Sequence, residues 1–328
     1  MRACAIVICF SALPCGAESI SAPVFGAQTG FAFPVECKLG ETCYIQNYVD
    51  HDPSQNAIDF TCENLTYDGH DGTDIALATQ ANMQAGVTIH AAAPGIVQGR
   101  RDGEADGVFA NGGAVTGVEC GNGVVINHPG GWQTQYCHML QGSVAVTSGM
   151  RVDTGSVLGQ IGQSGKAAFP HLHFEIRHDG TSVDPFTAGR VNDTCGKMTD
   201  QTTLWQDEPP YQAGGILSAG FSAAAPDYTD LKAGIWPENP DKNAPALIIW
   251  TYGFGLRDQD QIQLTATGPN GFQFDHISTA TKNQALFSRY AGKRLPNGAP
   301  AGAYQAQITV RRTDEIIDST TVNLTIAP

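Results

Sequence analysis

Positive charge is scarce in this sequence. Eighteen lysines and arginines stand against 32 aspartates and glutamates in 328 residues, a formal net charge of −14. Phosphate backbones are bound by clustered Lys and Arg, so nucleic acid is excluded as a partner. Nor does such a balance draw the chain toward anionic polymers, so recognition of one requires a shaped groove. Long apolar runs are missing as well: beyond the first residues, none approaches the ~18 that span a bilayer, and no membrane span is expected. No H-E-x-x-H segment occurs, which removes the helix-borne zinc site of the zincins. No stretch holds a 3.6-residue apolar period over three turns, so long helices are not expected. Glycine is plentiful instead, with 38 residues and no triplet period, well above the usual ~7%. That density suits short strands joined by tight turns.

The start of the chain reads as an export signal. Met1-Arg2 is a short positive beginning, Ala3 to Leu13 an apolar run, and Cys15-Gly16-Ala17 a small-x-small cleavage site. The expected signal peptide is 1–17, which makes the mature protein periplasmic or secreted. A lipid anchor on Cys15 fits less well, because Pro14 precedes it. Cleavage removes Cys4, Cys9 and Cys15 and leaves Cys37, Cys43, Cys62, Cys120, Cys137 and Cys195. An even set in an exported chain reads as disulfides whose connectivity the sequence leaves open. Cys37 and Cys43 are spaced for a local loop. Cys120 and Cys137 flank an apparent hairpin, Gly121–His128 and Trp132–His138, turning at Pro129-Gly130-Gly131. Simple register sets those two diagonally on one face, so bridging them needs a bulge or distortion. Cys62 with Cys195 follows only by elimination.

Two regions differ in character. Residues 18–205 hold all six remaining cysteines and the dense histidine chemistry. Short strand-like runs recur there, namely Gly86–Ala92, Gly95–Gly99, Gly123–Asn127, Val144–Val146, Val157–Ile161 and His171–Arg177. Residues 206–218, with Glu208-Pro209-Pro210 and Gly214-Gly215, read as a linker. From 219 to 328 cysteine is absent, His276 is the one histidine, and strand-like runs recur at sandwich spacing. Ala246–Tyr252, Gln261–Ala266, Tyr304–Arg311 and Ser319–Ile326 are the clearest. This region is expected to be an antiparallel β-sandwich, immunoglobulin-like in form, serving as an accessory module whose partner is not legible.

Three short motifs carry chemistry. In His70-Asp71-Gly72-Thr73-Asp74, an imidazole and a carboxylate four residues apart can hold one metal if the chain turns at Gly72. In Pro170-His171-Leu172-His173-Phe174-Glu175-Ile176-Arg177, strand alternation sets His171, His173 and Glu175 on one face and Leu172, Phe174 and Ile176 on the other. Two imidazoles over an apolar backing need a metal or polar partners. In Tyr136-Cys137-His138, regular alternation sets His138 on the face of Trp132, Thr134 and Tyr136, as a core histidine would be.

In this order the motifs resemble the lysostaphin-type, or LytM-domain, zinc metallopeptidases, which are cell-wall endopeptidases. Their pattern is H-x-x-x-D, then G-x-x-V-x-A-x-x-x-G-x-V, Y-x-H and H-L-H-F-E. Here these read His70 to Asp74, Gly86 to Val97, Tyr136-Cys137-His138 and His171 to Glu175, and Gly149 to Gly159 is similar to the family's G-x-x-V-x-x-G turn. The resemblance covers residues 65–187. It implies a mainly β, antiparallel fold with Zn²⁺ held by His70, Asp74 and His173, and with His138 and His171 as catalytic histidines. Three protein ligands leave one tetrahedral position for water. The implied substrate is the peptide cross-link of bacterial peptidoglycan. The alternative is a non-catalytic LytM-like wall-binding regulator or activator of another hydrolase, which would lack such a complete set of site residues. A cupin-like site would use both histidines of the H-x-H as ligands, but the residues after Arg177 lack the carboxylate and histidine it needs. Glu175 is placed to orient a histidine or to serve the surface, His128 reads as structural or groove-lining, and Asp71 has no assigned part.

Overall fold

The computed structural model describes residues 21–26, 28–188, 195 and 203–328. The export signal, residues 1–17, lies outside the described residues. The fold is mainly β and antiparallel, as expected. β1 (Val24–Phe25) and β2 (Gln28–Thr29) form a small hairpin. They are followed by β3 (Cys43–Asn47), β4 (Thr73–Leu77), α1 (Gln80–Ala85), β5 (Thr88–His90), β6 (Gly95–Arg101) and β7 (Asn122–Asn127). β8 (Trp132–Met139), β9 (Arg151–Val152), β10 (Val157–Gln160), β11 (His171–His178) and β12 (Thr181–Val183) complete the first region. One antiparallel sheet runs in the order β3-β4-β11-β8-β7-β6-β9, with β12 also on β11, while β5 and β10 pair apart. Val144–Val146 forms no strand; its one ladder-like bond runs from Ala145 N–H to Leu158 O (2.9 Å).

One face of this sheet packs Ile75, Val124, Tyr136, Leu172, Phe174 and Ile176 into a single core. Alternation produces that face. On β11 the register sets Phe174 opposite Tyr136, and their rings lie 5.2 Å apart. The intervening residues, His173 and Glu175, are thereby held on the opposite face.

The second region comprises β13 (Gly215–Ser222), α2 (Tyr228–Ala233), β14 (Ala246–Leu256), β15 (Gln261–Gly268), β16 (Phe272–Thr279), β17 (Gln284–Arg294), β18 (Gly302–Arg312) and β19 (Glu315–Ile326). Two sheets form, β13-β14-β17 and β16-β15-β18-β19. Leu247, Ile249 and Phe287 of the first meet Ile262, Leu264, Ile308 and Leu324 of the second in one buried cluster. β13 begins inside the segment read as linker, because Gly215 already pairs with Phe254. Tyr44 of β3 packs on Phe254 of β14, ring centroids 4.3 Å apart, and the Tyr252 hydroxyl donates to Ala78 O (3.1 Å). Gly234, which ends α2 with φ +86°, leaves room for α1: a Cβ there would lie 2.8 Å from Ala81 Cβ.

All three disulfides are formed: Cys37–Cys43, Cys62–Cys195 and Cys120–Cys137.

Candidate metal centre and hydrolytic site

β4 and β11 are neighbours, and their register sets Asp74 opposite His173. His70 lies in the loop entering β4. The chain bends at Gly72 without entering the left-handed region. Gly72 supplies space: a Cβ at this position would lie 2.7 Å from the His173 ring and 2.9 Å from Phe174 O. Only a residue without a side chain lets the histidine of β11 lie against the loop between His70 and Asp74.

Three donor atoms converge there. His70 Nε2 is 3.2 Å from His173 Nδ1 and 3.1 Å from Asp74 Oδ1, and His173 Nδ1 is 2.9 Å from the same oxygen. An ion with ~2.0–2.1 Å bonds in tetrahedral geometry spaces its donors roughly 3.3 Å apart. Two imidazole nitrogens and a carboxylate oxygen at this spacing are a donor set that zinc fits in both size and chemistry. Each partner is also held from behind. His70 Nδ1 donates to Tyr48 O (2.7 Å), and Asn47 Nδ2 donates to Asp74 Oδ2 (2.8 Å), leaving Oδ1 for the cluster. His173 Nε2 lies 3.4 Å from Asp71 Oδ1. Such outer contacts select the tautomer that presents a lone pair inward.

His138 and His171 stand beside this cluster, their rings 4.5 Å apart, and His138 is 6.1 Å from His173. His138 Nδ1 donates to Ser164 O and His171 Nδ1 to Phe169 O, each at 2.8 Å. A backbone carbonyl only accepts, so in both rings Nδ1 carries the hydrogen and Nε2 the lone pair, that of His171 lying 3.7 Å from Asp74 Oδ1.

His138 does not share the face of Trp132, Thr134 and Tyr136, contrary to the regular alternation expected of β8. Asn122 pairs with Met139 but Val124 with Tyr136, so β8 carries one extra residue against β7, a β-bulge at Cys137-His138. His138 takes φ +64° within it. An unbroken strand would send this side chain to the core beside Leu172. The bulge turns it into the cleft with Cys137, Lys166, Tyr67 and His173, a space of about 170 Å³.

The electrostatics follow from burial and neighbouring charge. Burial holds the His138 imidazole well below its ordinary pKa, and His171 and His173 press it further down. Burial likewise lowers His171. Burial opposes charge on His173 too, but Asp71 and Asp74 outweigh it and push its pKa up to about 10. Asp74 is buried at a cost, yet His70, His171 and His173 keep its carboxyl well below the usual range. A cation at these atoms needs the His173 Nδ1 lone pair and so competes with a proton there.

Residues 68–185 match the model of Peptidase family M23. This segment is an M23 domain. The DD-carboxypeptidase/endopeptidase Mpg of Neisseria meningitidis is 40% identical over 81 residues, 25% of this chain and 18% of that protein. The peptidoglycan DD-endopeptidase ShyA of Vibrio cholerae is 29% identical over 119 residues, 36% of this chain and 23% of that protein. The chain thus spans less than a quarter of either relative's length. The catalytic domain of lysostaphin from Staphylococcus simulans superposes with a TM-score of 0.28 at 20% identity, over 43% of this chain and 87% of that one.

Several residues of the M23 domain and its surroundings escape sequence reasoning. Asn47 and Tyr48 act through one amide and one carbonyl from outside the matched segment, Ser164 through its carbonyl, and Phe169 through its carbonyl and a ring 4.5 Å from that of His171. Backbone acceptors leave no trace in residue type. Asp71 was legible as a carboxylate but not as a neighbour of His173, which depends on β11 lying beside β4. Glu175 is buried and engages Arg177 Nε (2.8 Å) and the Ser182 hydroxyl. Its partners are not histidines. His128 is a buried structural residue: Nδ1 donates to Pro94 O and Nε2 lies 2.8 Å from the Thr134 hydroxyl.

Proposed function

We propose that this chain is an exported zinc endopeptidase that hydrolyses the peptide cross-links of bacterial peptidoglycan. The observation that carries the reading is the convergence of His70 Nε2, Asp74 Oδ1 and His173 Nδ1 within 3.2 Å of one another, beside two histidines whose Nδ1 atoms are held by backbone carbonyls. When bound, zinc supplies Lewis acidity to the reacting water and carbonyl. His70, Asp74 and His173 would hold it. One of His138 and His171 takes the proton of the attacking water. The other, once protonated, donates to the oxyanion that develops on the scissile carbonyl. The carbonyls of Ser164 and Phe169 accept from Nδ1 of the two rings, so proton exchange falls to Nε2 in each.

The names of the M23 relatives support the substrate class, and three disulfides suit an oxidising compartment outside the cytoplasm. No described helix is long and apolar enough to cross a membrane. The region from 219 onward is read as an accessory module appended to the hydrolase.

Digestion of purified peptidoglycan by residues 18–328, followed by mass spectrometry of the muropeptides, tests the reading. Loss of cross-linked dimers, blocked by a chelator and restored by zinc, is the expected result. An unchanged muropeptide profile from folded, zinc-loaded protein would overturn it in favour of a regulator.

A further inference from the structure

We propose that the Cys120–Cys137 disulfide is a positioning element of the hydrolytic site, holding the bulge that aims His138 into the cleft. The inference rests on His138 serving as a proton-transfer group.

A histidine at φ +64° is in a conformation that costs an L-residue about 1–2 kcal/mol. Without restraint, β8 would straighten and carry the ring to the apolar face. The contacts opposing this converge on a few residues. His138 N–H donates to Cys120 O (2.8 Å), Gly162 N–H donates to His138 O (3.0 Å), and the ring donates to Ser164 O. The disulfide joins Cys137, the residue just before His138, to Cys120, the residue whose carbonyl receives the His138 amide. Covalent and hydrogen-bonded restraints thus span the same pair of segments.

The turn bearing Cys120 is fastened in turn to the loop that orients the ring. Lys166 N–H donates to Glu119 O (2.7 Å) and Asn122 N–H to Ser164 Oγ (2.9 Å). The two backbones are so close that a Cβ on Gly121 would lie 2.4 Å from the Ser164 carbonyl carbon. Opposite the bulge, a Cβ on Gly123 would lie 2.5 Å from Tyr136 O and 3.0 Å from Cys120 Sγ. The disulfide, the bulge and the acceptor for His138 Nδ1 therefore form one unit. Of the three donor residues only His173 adjoins it, paired with Cys137 across the β8–β11 ladder, and its side chain makes no hydrogen bond to the unit.

The test is Cys120→Ala/Cys137→Ala in the mature chain, with Cys37→Ala/Cys43→Ala as a control disulfide whose cysteines do not line the cleft. The expected result is full zinc occupancy, an unchanged KM for a cross-linked muropeptide, and a kcat lower by about tenfold or more. The ring Nδ1–H resonance of His138, visible in ¹⁵N-histidine-labelled protein, is expected to disappear. The control should lose thermal stability but keep kcat and that resonance. A zinc-loaded double variant with near-parental kcat and an intact Nδ1–H signal would overturn the proposal. Should that variant not fold, the parent protein is reduced stepwise with a phosphine and its free thiols mapped by alkylation. Activity that survives cleavage of Cys120–Cys137 would then overturn it, and loss in step with that cleavage would support it. If the parent itself hydrolyses nothing, the endopeptidase reading fails, and the Nδ1–H signal alone still decides the positioning role.

Discussion

The two sheet systems of this protein are built by different rules. In the second region, β14 and β17 pair from Ala246↔Arg294 to Leu256↔Gln284 in one register, and β15 pairs with both of its neighbours without a shift. Strict alternation supplies its core, with Ile262, Leu264 and Ala266 buried along β15. Its ladders shift only where β13 meets β14 and β18 meets β19. The first region interrupts its ladders at Ile45/Asn47, Val97/Gly99, Asn122/Val124 and Val157/Gly159. Two of these breaks serve the site directly. The first sets Asn47 opposite Asp74, and the third turns His138 into the cleft. A regular sheet can only offer alternate residues to each face, so side chains that must converge on one point require the ladder to be broken. The first region also carries three disulfides, which restrain what regular pairing does not.

This contrast predicts where damage will fall. His173→Ala should abolish both zinc binding and muropeptide cleavage while leaving the second region folded. Zinc stoichiometry and cleavage rate measure it, and the rate loss should exceed the ~10²–10⁴-fold typical of one proton-transfer group. His138→Ala should lower kcat by ~10²–10⁴-fold yet keep zinc bound, and a fully active variant would contradict its assigned role. In the regular region the effects should be thermodynamic only. Leu264, wholly buried, when cut to Ala should cost ~2–5 kcal/mol in chemical denaturation with zinc stoichiometry intact. Loss of zinc in that variant would mean the two regions are more tightly coupled than their separate cores suggest.

The smallest expected effect concerns pH. Burial lowers the pKa of His128 below its ordinary 6.5. Above that value the ring is neutral in folded and unfolded chains alike, and it adds no pH dependence. Below it the unfolded chain takes up a proton that the folded chain refuses, so stability falls as pH drops toward the folded pKa. In zinc-loaded protein, His128→Gln should flatten the denaturation midpoint between neutral and mildly acidic pH relative to the parent. Parallel pH curves for the two proteins would contradict it.

The five candidate residues were legible because their side chains carry nitrogen and oxygen donors in short motifs. The pattern H-x-x-x-D, Y-x-H and H-L-H-F-E specifies atoms able to hold a metal and move protons, whatever the surrounding structure. The β-rich architecture was legible from period-two alternation, most clearly along β15 and β18. The helices α1 and α2 were not, since six residues are too few to display a helical period. Val144–Val146 looked like a strand because it is apolar and β-branched, but its edge finds only one partner bond. The need for a bulge or distortion to bridge Cys120 and Cys137 followed from hairpin register. Its consequence for His138 did not, because regular alternation set that ring in the core.

The sequence by itself determined the chemistry: which donors exist, their spacing along each strand, and the even set of cysteines from Cys37 onward. These are local properties carried by residue type and by the period of the chain. Tertiary structure alone decided that β4 lies beside β11, so that Asp74 meets His173 and Asp71 approaches its far nitrogen. It also decided that the carbonyls of Tyr48, Ser164 and Phe169 choose the tautomers. Every residue carries a carbonyl, so its role is set by which strand folds alongside it and by where the ladder breaks.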